Sequence, residues 1–124
     1  MVRLMFMAFL NLIRFDVYVA RHKFAALYQY VRGYPLSSGT RPQMDATHIC
    51  SAVDKACLWY WKDALCLQRS ATAACLLKKF GFNAQLVIGA QQLPFRAHAW
   101  VELDGRVVND KPYMEEIYSV LDRC

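Results

Sequence analysis

The periodicity of this chain changes once, near Gly81, and that change confines it to helices followed by a sheet. Residues 1 to about 32 lack proline and glycine and are rich in Leu, Met, Phe, Ala and Tyr, which reads as one or two helices with a break near Ala20 to Lys23. Gly33-Tyr34-Pro35 ends them, and Ser37-Ser38-Gly39-Thr40-Arg41-Pro42 reads as a linker. Ile49, Val53, Ala56 and Trp59 or Tyr60 recur at helical spacing, so a third helix is expected from about Asp45 to Tyr60. A fourth is expected from an Asp63 cap, through Cys66 in its first turn, to Lys78 and Lys79 ahead of Gly81. Ala71, Ala73 and Ala74 make that helix narrow enough to lie close against a sheet.

Beyond Gly81 the pattern is that of strands. Ala84 to Gly89, Arg96 to Glu102 and Arg106 to Asn109 read as three, the last two joined at Asp104-Gly105, and a short helix is expected within the last dozen residues. The order of elements is that of an α+β fold: N-terminal helices, then a central cysteine-bearing helix packed on a small antiparallel sheet. With 124 residues, one domain is expected, divided into a helical part (1–42) and a core (43–124).

Composition narrows the function classes. Fifteen basic and ten acidic residues leave a net charge of +5, but the basic residues are scattered and no nucleic-acid motif accompanies them. The hydrophobic share of 56% is high and hints that a partner covers some apolar surface. The N-terminal helices are apolar nearly all round, which predicts burial. Leu4 to Ile13 is too short to span a bilayer and has neither the flanks nor the cleavage site of a signal peptide, so no membrane association is expected. Five cysteines with no Cys-x-x-Cys pair point to free thiols in a reducing, cytoplasmic compartment. Cys50 and Cys57, seven apart on one helix face, read as small buried apolar residues.

Three residues carry candidate chemistry. A thiol attacks as thiolate, and the start of a helix, where Cys66 falls, favours an anion and offers N–H groups to an oxyanion. His98, on the second strand, can take the thiol proton and later return it to a leaving amine. Asp110 can orient the imidazole. Strand register bears on that pairing. A two-residue turn at Asp104-Gly105 sets Leu103 opposite Arg106 and puts His98 and Asp110 on opposite faces. A three-residue loop, Leu103-Asp104-Gly105 with a G1 bulge, sets Glu102 opposite Arg106 and His98 opposite Asp110, and is preferred for that reason. In that register Asn109, the competitor for the orienting role, points away. Arg69 and Trp100 are candidate substrate-binding residues, Trp100 as the floor of a cleft. Trp59 and Trp61 read as core or pocket wall, Ser70 as a local hydrogen-bonder, and Gln68 as too deep in its helix to reach an oxyanion. His22 and His48 fall in helices and take no role.

Taken together, Cys66-Leu67-x-Arg69-Ser70, Gly81, Leu86-Val87-Ile88-Gly89, Pro94-Phe95-x-Ala97-His98-Ala99-Trp100-Val101-Glu102 and Gly105 through Asn109-Asp110 resemble the lasso-peptide leader peptidases. These are the transglutaminase-like B proteins of lasso-peptide biosynthesis, here in the split form, and the resemblance is strong over about residues 45 to 112. It implies a papain- or transglutaminase-like α+β fold and a cysteine peptidase with Cys66 as nucleophile, His98 as base and Asp110 as orienting acid. It implies hydrolysis of one bond in a ribosomally made precursor peptide, with no metal or organic cofactor. The implied partners are a separate leader-recognition-element protein, for which this chain is too short to leave room, and an ATP-using macrolactam cyclase. The apolar and basic surface of residues 1 to 32 is the candidate docking face. Two alternatives stay open: an acyltransferase of the same fold, and a non-catalytic subunit that only presents the precursor.

Overall fold

Nineteen residues free of glycine and proline, Val2–Ala20, form α1, and a left-handed turn at His22 leads into α2, Phe24–Arg32. The expected break between the two helices is therefore present, with His22 in the turn rather than in a helix. The computed structural model describes residues 2–36, 45–60, 66–92 and 95–124. The expected linker at 37–42, the Asp63 cap, Trp61 and Pro94 lie outside them. Helix α3, Ala46–Trp59, is capped by Asp45, whose carboxylate accepts the Thr47 N–H at 3.3 Å. Helix α4, Cys66–Lys79, ends where Gly81 takes a positive φ of 94°. There Phe82 N–H donates to the Leu77 carbonyl and Gly81 N–H to that of Lys78, the paired bonds of a Schellman stop.

Helix α4 is buried on nearly all sides, between α1, α2 and α3 and the strands. Its alanines let neighbours approach, as the sequence suggests. Lys78 does not sit in solvent at its end: the side chain is buried, and Nζ donates to the carbonyl of Val31 at 2.6 Å, satisfying the last turn of α2. Helix α1 departs from the expected all-round burial. Only the stripe Leu4, Ala8, Leu12 and Phe15 is buried. Val2, Phe6, Leu10 and Val17 are exposed on the outer side, Phe6 at 63%, because α3 and α4 cover only the inner one. Trp59 is also a correction: it is 78% exposed, while the next residue, Tyr60, is buried. Among the described residues, no helix is long and apolar enough to cross a membrane.

The sheet has four antiparallel strands in the order β3-β2-β1-β4, with β1 Ala84–Gln92, β2 Phe95–Leu103, β3 Arg106–Val107 and β4 Ser119–Arg123. The last dozen residues hold a single helical turn, α5 (Met114–Ile117), and then β4, where a helix alone was expected. Strand β4 runs along the free edge of β1, and the Leu86 and Cys124 backbones exchange both hydrogen bonds. A lone strand stays poor in local signal until an edge is there to pair with it. One sheet face, with Leu86, Ala99 and Val101, joins the helical core. The other, with Val87 and Trp100, is covered by Met114 and Tyr118.

Candidate active site

The turn between β2 and β3 sets up the site, and it is not the one preferred from sequence. Asp104 and Gly105 both have positive φ, 53° and 78°, and Leu103 pairs with Arg106. This is a two-residue type I′ turn, the conformation an Asp-Gly pair favours between twisted strands. The G1-bulge register is therefore wrong. The expected Glu102–Arg106 pair does not form: Glu102 is buried opposite Val107, accepts from Trp100 Nε1 at 2.9 Å and lies 3.5 Å from Arg123 Nε.

In this register an unbroken β3 would send His98 and Asp110 to opposite faces. They meet because β3 stops after Val107. Val108 N–H still donates to the Val101 carbonyl, but the returning Val101 N–H donates to Asn109 Oδ1, at 2.7 Å. A side-chain amide thus takes the place of the next ladder carbonyl, the backbone bends, and Asp110 swings back to the imidazole. His98 Nε2 and Asp110 Oδ2 are 2.6 Å apart. With the carboxylate accepting, Nε2 carries the proton and Nδ1 is left as the acceptor.

Burial raises the Asp110 carboxyl, but the bonds from His98 and from the Lys111 N–H, with the charge of Arg69, outweigh it and hold the pKa below the usual value. A carboxylate depressed in this way stabilises the fold fully above its unfolded pKa, about 3.9, and the contribution is lost as pH falls through the lower folded value. Asp110→Asn is therefore expected to lose stability less steeply than the parent below about pH 4. Urea midpoints followed between about pH 5 and pH 2 would show the two curves converging toward acid.

Cys66 opens α4 and is half-buried. Cys66 and His98 border one apolar cavity of about 180 Å³, with Leu67, Ile88, Ala97 and Ala99 along its walls and Phe24 and Tyr28 from α2 at one side. Arg69 is three residues after Cys66, hence on the same side of the helix. Its guanidinium lies 3.8 Å from Asp110 Oδ2 and 3.8 Å from Asp54 Oδ1. It thereby ties the acid to the helix that bears the thiol. Burial pushes the other thiols up, Cys50 to about 11 and Cys75 to about 12, with Cys57 and Cys124 also raised. These four are held as neutral thiols.

Trp100 is not a cleft floor. It is fully buried and lies behind His98, ring centroids 6.0 Å apart and 30° between planes. Tyr118 flanks the imidazole more closely, at 5.3 Å and 29°. Both rings need Gly89, which faces His98 across β1 and β2: a Cβ there would come within 2.6 Å of the Trp100 ring and 2.9 Å of Tyr118 Cβ. Tyr118 carries no sequence signal, since it approaches His98 only through the pairing of β4. Ser70 and Asn109 bond across elements, not locally or outward, and Gln68 is buried with Nε2 3.5 Å from Asp16 Oδ1 of α1.

Helix α4 thus opens on a cysteine and lies on an antiparallel sheet whose second strand carries a histidine paired to an acid. The family model of the transglutaminase-like superfamily matches residues 9–123, and the chain belongs to that superfamily. Among curated proteins it is similar to the microcin J25-processing protein McjB of Escherichia coli, 41% identical over 56 residues. That stretch is 45% of this chain and 27% of McjB, so the chain matches well under a third of its relative's length. No solved structure matches the chain.

Proposed function

We propose that the protein is a cysteine peptidase that removes the leader from a ribosomally made precursor of the lasso-peptide type. The observation that carries this reading is the 2.6 Å contact between His98 Nε2 and Asp110 Oδ2 beside a cavity that Cys66 also borders. Likeness to a protein named for processing microcin J25 supports a peptide as substrate.

In this reading Nδ1 of His98 takes the Cys66 proton and Sγ attacks the scissile carbonyl. The first N–H groups of α4, which have no partners within the helix, receive the oxyanion. The C–N bond breaks as the imidazolium returns its proton to the leaving amine. Water, deprotonated by the same Nδ1, then cleaves the thioester and restores the thiol. Asp110 holds the ring in the required tautomer throughout, and Arg69 holds Asp110. Arg69 thus acts on the acid, while substrate side chains take the apolar cavity. A separate leader-binding protein and a macrolactam cyclase complete the proposed system, and the exposed stripe Val2, Phe6, Leu10 and Val17 is the proposed docking face.

The test is to incubate the protein with such a precursor and its leader-binding protein and weigh the products. Two fragments whose masses sum to precursor plus one water are expected. An acyl group found on an added amine would instead assign a transferase. An intact precursor in the presence of all components would sink the reading.

A further inference from the structure

One polar cluster, buried at Ser70 and half-buried at Asn109, joins the three segments that bear the candidate triad, and each of its members is a near neighbour of a triad residue. Ser70 lies one turn past Cys66 on α4 and is fully buried; its Oγ donates to the carbonyl of Ala99, next to His98, at 3.0 Å. Asn109, next to Asp110, donates from Nδ2 to Ser70 Oγ at 3.0 Å and accepts the Val101 N–H at Oδ1. The roles are fully assigned: the hydroxyl proton goes to Ala99, and the hydroxyl lone pair takes the amide proton.

Helix α4 also contacts β2, and Ala71, Ala73 and Ala74 share one apolar core with Ala99 and Val101. Small apolar surfaces attract without direction, so by themselves they leave the helix free to settle at slightly different positions along the strand. Hydrogen bonds have a preferred distance and angle, and this cluster holds three of them.

We propose that Ser70 and Asn109 are positioning residues that set the register between the thiol-bearing helix and the imidazole–carboxylate pair. The inference rests on the peptidase reading above. A displacement of about 1 Å at a reacting centre is enough to slow a reaction about 100-fold, so the clamp acts on kcat rather than on peptide binding.

The experiment compares the parent, Cys66→Ala, Ser70→Ala and Asn109→Asp in the precursor cleavage assay. Cys66 alkylation by iodoacetamide is followed against pH in the three proteins that retain the thiol. Asn109→Asp preserves size and the acceptor for Val101 but removes the donor to Ser70, so it decides the matter where Ser70→Ala does not fold. Both clamp variants are expected to lose about 10- to 100-fold in kcat with KM nearly unchanged. The alkylation profile of Ser70→Ala, where no charge is added beside the acid, is expected to shift along the pH axis, which a purely structural role would not cause. A folded Asn109→Asp with parental kcat and parental alkylation profile overturns the clamp. Undiminished cleavage by Cys66→Ala overturns the peptidase reading instead, so the two failures are distinguishable.

Discussion

Cys66→Ala is expected to lower precursor cleavage by at least about 10⁴-fold while leaving the fold in place. The size of the effect follows from its role: without sulfur no thioester forms, and the oxyanion donors and peptide contacts retain only a residual acceleration. The fold survives because Cys66 is half-buried at the start of its helix, and alanine is a good helix former. Cleavage rates by mass spectrometry, read beside far-ultraviolet circular dichroism, check both halves. Of the other thiols, Cys50, Cys75 and Cys124 are buried and Cys57 is held neutral, so none is placed to substitute. Parental cleavage by the variant would leave the triad without a function.

Trp100→Ala is expected to cost about 3–5 kcal/mol, a large part of the stability of a domain this size. Trp100 is the largest fully buried side chain among the described residues. Its loss opens a cavity between Val87, Met114 and Tyr118 on the sheet face away from the helices. It also removes a hydrogen-bond donor from the buried Glu102 carboxylate, leaving that charge more dependent on Arg123. Trp100→Phe keeps most of the volume and loses the N–H with part of the ring, so it should fall short of the alanine cost. Urea titration of both variants gives the comparison directly. A Trp100→Ala loss within about 1 kcal/mol of parent would mean that the outer face contributes little to the fold. Because the indole also backs His98, surviving folded protein should cleave slowly even at saturating peptide.

Helices α1 to α4, the start of α3 and the end of α4 were legible because their signals are local. Asp45 caps α3 through a bond to a residue two positions away, and the glycine stop of α4 is closed by bonds spanning at most five residues. The β1 and β2 strands were legible from their apolar runs and the Asp-Gly turn between β2 and β3 from its composition, although the turn proved shorter than expected. What misled was the assumption that β3 continues as far as Asn109. A bend made by a side-chain amide replacing a ladder carbonyl has no periodic signature, and Asn109 looked like a strand residue pointing outward.

By itself the sequence determined the order of helices and strands as far as β3, and it offered Cys66, His98 and Asp110 as the candidates for nucleophilic chemistry. Those features depend on side-chain type and on neighbours within about one turn or one hairpin. The tertiary structure alone decided how His98 and Asp110 meet, which rings enclose the imidazole, and that the chain's end returns as β4 along β1. Each of these turns on partners that the fold brings together from far along the chain. Arg69 reaches Asp110 across 41 positions, and Ser70 reaches Ala99 across 29, distances at which local preference carries no information.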